Sequence, residues 1–131
     1  STEPMKPARS RKYLDWIRTL PCLCCGAKAE AAHTGSHGMA QKASDFSAVP
    51  LCWWHHREGR YAIHKGVRAF VAFWQLDLAL VVETLNRWYE SDSDRQYAAE
   101  MLDAWMKQAG VYGRSEPQPH FGATSSVCYS D

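Results

Sequence analysis

The chain has 131 residues, 46% of them hydrophobic and 22% charged, which is the length and make-up of one compact domain with short appendages and leaves no room for a second core. Fifteen Lys and Arg stand against fourteen Asp and Glu, a formal charge of +1, so overall charge does not announce a nucleic-acid binder and any such reading must rest on local distribution. The longest apolar-looking stretch, 67–85, is interrupted by Arg68, Gln75, Asp77 and Glu83 and does not read as a membrane span. Nor does the start, which opens with Ser1, have the order of a secretion signal; the expected location is cytoplasmic.

In chain order, residues 1–9 carry Pro4 and Pro7 without an apolar period and read as an arm. Tyr13, Leu14, Trp16, Ile17 and Leu20 recur at spacings of three and four, which predicts a helix over 10–20 that Pro21 ends. Lys6, Arg9, Arg11, Lys12 and Arg18 make this the one segment with clear charge asymmetry, which a solvated helix face explains as well as a binding surface does. A cysteine-rich turn and a short strand through Ala31–His33 follow, then a polar loop over 35–47 and a second brief strand from Ala48 to Leu51. A helix can begin at His55, frayed by Gly59. Further helices are predicted over Val67–Trp74, over Leu78–Tyr89 with Asp77 as its N-cap, and over Arg95–Gln108, closed by Gly110. Residues 111–131, with Pro117, Pro119 and a Ser/Thr run, read as a loosely packed tail that makes His120 and Cys128 weak candidates for any role. The organisation expected is therefore an arm over 1–9, a single domain over 10–110 and a tail over 111–131.

Five cysteines are an odd number, and three of them crowd into residues 22–25. Cys22 and Cys25 flank two residues and precede Gly26, a spacing that lets a tight turn aim both thiolates at one ion. Cys52 and His55 repeat the spacing thirty residues on. Together they supply the four ligands of a closed structural Zn²⁺ site. Buried thiols beside a core histidine are the bland alternative. Cys24, between two ligands, should point away as a small core residue, and Trp53 and Trp54 should pack helix against hairpin, base stacking being the minor alternative.

His33, His37, His56 and His64 are left over, many imidazoles for so small a core. A hairpin followed by a helix would bring His33, His56 and His64 to one side, where imidazoles can hold a divalent ion and leave one ring free as a base.

The order Cys-x-x-Cys, then Ala32-His33, then Lys42-Ala43-Ser44-Asp45, then Pro50-Leu51-Cys52-x-x-His55-His56 and a later His64 resembles the HNH endonucleases of phages and prophages. The resemblance covers about residues 10 to 90. It implies an α+β fold: a small zinc-stapled ββα-metal hairpin-helix core flanked by an N-terminal helix and two or three C-terminal helices. It also implies a metal-dependent nuclease hydrolysing DNA phosphodiester bonds in a bacterial host cell. On this resemblance Cys22, Cys25, Cys52 and His55 hold structural zinc, His33 is the general base, His56 takes the middle position of the HNH signature, and His64 is a ligand of a catalytic Mg²⁺, Mn²⁺ or Ni²⁺. Products would be a 5′-phosphate and a 3′-hydroxyl.

One departure stands out. Members commonly carry His or Asp just before the base, and here that position is Ala32. Either His37 or His56 fills the vacancy, or water does, or the site is weakened; Glu30 shares the strand face of Ala32 but lies further off. Lys42, Arg57, Arg60, Lys65 and Arg68 are candidate phosphate contacts, and for each of them plain surface charge is an equal reading. Two other classes compete with a nuclease: a zinc-stabilised nucleic-acid-binding module without cleavage, and a structural zinc domain that binds proteins through the helices of 67–109.

Overall fold

The computed structural model describes residues 9–34, 44–91 and 95–114, and these form a mixed α/β arrangement with a two-stranded sheet and four helices. Helix α1 (Arg11–Ile17) opens on Ser10, whose hydroxyl accepts from the Tyr13 N–H. It is shorter than the periodicity predicts. Proline disfavours helical geometry in the residue before it, so the last residues ahead of Pro21 close in tighter turns, with Thr19 N–H on Trp16 O and Leu20 N–H on Ile17 O.

Strands β1 (Glu30–His33) and β2 (Ala48–Leu51) pair antiparallel, with Glu30 opposite Leu51 and His33 opposite Ala48. Pro50 is tolerated because this ladder has only two strands; its carbonyl accepts the Leu23 N–H and ties the cysteine turn to β2. A single turn of 3₁₀ helix, Asp45–Ser47, leads into β2. Beyond it the expected helix at His55 is a wide π turn, Trp54–Glu58, closed by Gly59 N–H on Trp54 O. A short 3₁₀ turn, Ile63–Lys65, then precedes helix α2 (Val67–Trp74).

Helix α3 (Leu78–Glu90) begins at Asp77, whose carboxylate accepts the Leu80 N–H as the sequence predicts. Helix α4 (Arg95–Gln108) stops at Gly110, whose φ of +80° suits glycine. Gly110 N–H on Lys107 O and Val111 N–H on Met106 O complete a Schellman cap, with Val111 and Met106 both buried. The packed region thus passes the boundary expected at residue 110: Tyr112 lies on the cysteine turn and donates to Cys22 O.

One core joins these pieces. Tyr13 is fully buried, meets Phe46 at 4.7 Å and Tyr89 at 4.9 Å between ring centroids, and takes a hydrogen bond from Asn86. Asn86 also donates to Phe46 O, so α3 clamps α1 to the turn before β2. No single helix among the described residues is long and apolar enough to cross a membrane. The two that reach that length together, α2 and α3, meet at 85°.

Candidate metal centre and the histidines around it

Two turns build the first site. In the cysteine turn, Gly26 adopts φ +81° and its N–H returns to Cys22 O, while Cys22 N–H bonds Ala27 O. This curls Cys22 and Cys25 toward the sheet end where β2 delivers Cys52. The π turn then brings round His55, whose Nδ1 lies 3.4 Å from Cys52 Sγ and 3.7 Å from Cys22 Sγ; Cys25 Sγ is 3.9 Å from Cys52 Sγ. One ligand atom from each residue falls within 4.8 Å of all the others, so Cys22, Cys25, Cys52 and His55 are close enough to hold a metal ion.

Its surroundings favour a thiolate centre. Burial opposes charge on Cys22, yet hydrogen bonds from the Cys24 N–H, Cys25 and His55, with the charge of His55, hold its thiol well below the ordinary range. Trp74 of α2, itself buried in the core, meets His55 edge-on at 5.0 Å and backs the site with apolar surface. Cys24 is buried among core residues, as expected for a cysteine facing away. Trp53 departs from the sequence reading: it is 45% exposed, and only Trp54 is partly buried against the core. Neighbours on one turn point in different directions, so both indoles cannot pack inward.

The remaining histidines among the described residues fall into two groups. His56, one residue past the metal ligand, is buried and sits 5.0 Å from His64, ring to ring. Its Nδ1 is 2.6 Å from Glu30 Oε1, and Arg57 Nε approaches the same oxygen at 3.4 Å. Burial lowers the His56 pKa; Glu30 opposes that shift, while His64 and Arg57 add to it. Ala32, fully buried, offers nothing here, and the nearest carboxylate on its strand face is Glu30.

His33 stands apart. It is three residues from Glu30, hence roughly 10 Å along the strand and on the alternate face. Among the described residues its polar partner is Asp45, at 2.9 Å from Nε2, rather than His56 or His64. Asp45 is buried, and its second oxygen accepts the Ser10 N–H at 2.8 Å. Burial would raise the Asp45 pKa, but the His33 and Ser10 hydrogen bonds and the charges of His33 and Arg9 hold it below the ordinary carboxylate value. The sequence reading singled out neither Glu30 as the partner of His56 nor Asp45 as the partner of His33. Ser44 caps the turn that Asp45 opens, within what the sequence reading took as a polar loop.

Of the candidate phosphate contacts, Arg57 faces Glu30, Arg60 lies 5.9 Å over the Tyr61 ring, Lys65 donates to Glu58 O, and Arg68 is exposed. Lys42 and His37 lie outside the described residues.

What the fold and these contacts define is a small hairpin-and-helix domain organised around a Cys/His cluster close enough to hold a metal ion. Residues 4–91 match the family described as "Protein of unknown function (DUF968)", and the chain belongs to that family. It is also similar to "Uncharacterized protein YdfU" of Escherichia coli (strain K12), 36% identical over 80 residues, which is 58% of this chain. The chain spans only 22% of that protein's length. No solved structure matches.

Proposed function

We propose that the protein is a metal-dependent HNH endonuclease hydrolysing DNA phosphodiester bonds, built on a zinc-stapled ββα-metal core. The observation that carries this reading is the His56–His64 pair, 5.0 Å apart and backed by the Glu30 carboxylate, on the segment that directly follows the stapled hairpin. His56 is buried while His64 is exposed and the Glu30 side chain is half-open, so the pair faces solvent where an ion and a phosphate can reach it.

Zinc fits the four-residue cluster. Bond lengths of about 2.3 Å to sulfur and about 2.0 Å to nitrogen give tetrahedral edges of about 3.8 Å between sulfurs and about 3.5 Å between sulfur and nitrogen. The corresponding separations here are 3.9 Å, and 3.4 and 3.7 Å. Four protein ligands leave no open position, so this ion holds the fold and does no chemistry.

His56 and His64 are the groups that would hold the catalytic ion. With Nδ1 turned to Glu30, His56 keeps Nε2 for that purpose, an arrangement in which a carboxylate orients a metal-binding ring. When bound, a divalent ion supplies neutralisation of the charge that develops on the phosphate and the leaving 3′ oxygen. His33, about 10 Å along β1 from Glu30, would take a proton from a water attacking a phosphate that lies between it and the His56–His64 pair, as the water's oxygen bonds phosphorus and the bond to the 3′ oxygen breaks. A neutral imidazole has the free lone pair that this step needs.

One observation favours a second reading. Among the described residues, the Cys/His cluster is the group of three or more His, Cys, Asp or Glu side chains arranged to hold an ion. A zinc-stabilised module that binds nucleic acid without cutting would need no more. Incubating supercoiled plasmid with Mg²⁺, Mn²⁺ or Ni²⁺ separates the two: nicking is expected. Retention of DNA without cutting under every ion selects the binding module, and indifference to DNA even at low salt ends both.

A further inference from the structure

We propose that Asp45 is the positioning residue for His33: its buried carboxylate fixes the ring with hydrogen on Nε2 and leaves Nδ1 as the atom that accepts a proton. The catalytic half of this proposal rests on the nuclease reading, whereas the tautomer does not.

An ionised carboxylate only accepts hydrogen bonds. Asp45 lies 2.9 Å from His33 Nε2, so a neutral ring must carry its proton there, and the lone pair falls to Nδ1. Both carboxylate oxygens are engaged, one by His33 and one by the Ser10 N–H that opens α1. The low pKa of Asp45 is consistent with an ionised acceptor across the neutral range.

The carboxylate is also held rigidly. Asp45 begins the turn that Ser44 caps, and the next residue, Phe46, is clamped through its carbonyl by Asn86 of α3 and through its ring by Tyr13 of α1. Three elements distant in sequence thus fix one acceptor against a half-exposed ring at the end of β1. A carboxylate needed only to bind the start of α1 would have no call on an imidazole as well. The arrangement shares its logic with acid-oriented histidine bases in general, where the acid sets the tautomer and remains ionised.

Asp45→Asn tests this directly. An asparagine can still accept the Ser10 N–H through its oxygen, but it turns an NH₂ donor toward His33 Nε2. The ring must then carry its proton on Nδ1. The readout is a two-bond ¹H–¹⁵N spectrum of the histidine rings at a pH where His33 is neutral, its signals assigned with His33→Gln.

The wild type is expected to show His33 as a single Nε2–H tautomer, and Asp45→Asn as the Nδ1–H tautomer with zinc content and melting behaviour retained. Plasmid cleavage by the variant should fall by about 10²–10⁴-fold, the range a general base contributes. A wild-type ring that carries Nδ1–H or exchanges between tautomers overturns the proposal, and this measurement stands even if the variant does not fold. An unchanged tautomer in a folded Asp45→Asn overturns it too. A wild type with the expected tautomer that never cleaves DNA supports the positioning and sinks the nuclease reading alone.

Discussion

The metal cluster and the histidine sites are built in opposite ways from similar side chains. Cys22, Cys25, Cys52 and His55 come from two tight turns, are largely buried, and bring one ligand atom each to within 4.8 Å of the others. His56 and His33 are instead satisfied by acids brought from elsewhere in the chain: Glu30 for His56, twenty-six residues away, and Asp45 for His33, twelve away. The first arrangement gathers four ligands for one ion and suits a staple. The second leaves one nitrogen of each ring uncommitted to its acid, which is what binding and proton transfer require.

Breaking the staple should have the largest effect. Cys52→Ser, or strong chelation of the wild type, removes a ligand from the cluster that joins the cysteine turn, β2 and the π turn. Structural zinc contributes on the order of 10 kcal/mol in small domains, more than most domains have in net stability. Loss of the zinc is expected to abolish cooperative melting, followed by circular dichroism alongside metal content. Cooperative melting without zinc would remove the distinction between the two regions.

Glu30→Ala acts on the other side of the comparison and should be milder. It leaves the buried His56 Nδ1–H without a partner, at a cost of about 1–3 kcal/mol. Loss of such an orienting carboxylate commonly weakens metal affinity or activity by about 10–100-fold. Denaturant titration and cleavage rates should show both effects with one zinc per chain retained. Zinc loss would mean that Glu30 belongs to the staple.

The smallest effect is in pH. Burial lowers the His56 pKa in the folded state, so this ring contributes stability that is fully present above its ordinary value and declines as pH falls toward the folded one. Zinc-loaded wild type should therefore lose more stability between pH 7 and pH 5.5 than His56→Gln does, as read by denaturant midpoints. Equal losses would show that His56 ionises as freely when folded as when unfolded.

The contrast also explains what could be read from the sequence. The metal cluster was legible because its information is local: two pairs spaced by two residues, one followed by a glycine that takes positive φ. Helix limits marked by Asp77 and Gly110 were legible for the same reason, each being a cap decided within a few residues. Asp45 and Glu30 were not, because their meaning depends on strand register and on how the turn before β2 docks on α1. Strand parity put Glu30 on the face of Ala32, but only the path of the π turn brings His56 within 2.6 Å of it. Trp53 was misread because composition marks a tryptophan as core material, whereas its place on the turn leaves it 45% exposed. The packing of Val111 and Tyr112 escaped notice because the helix cap was read as the end of the domain rather than as the turn that sends the chain back to Cys22.

The division of labour between the two regions is tested most directly by plasmid cleavage with wild type and His33→Ala side by side, zinc being counted in both. One zinc per chain is expected in each protein, with metal-dependent nicking by the wild type and loss of nicking by about 10²–10⁴-fold in the variant. Equal nicking by two zinc-loaded proteins would contradict that division of labour.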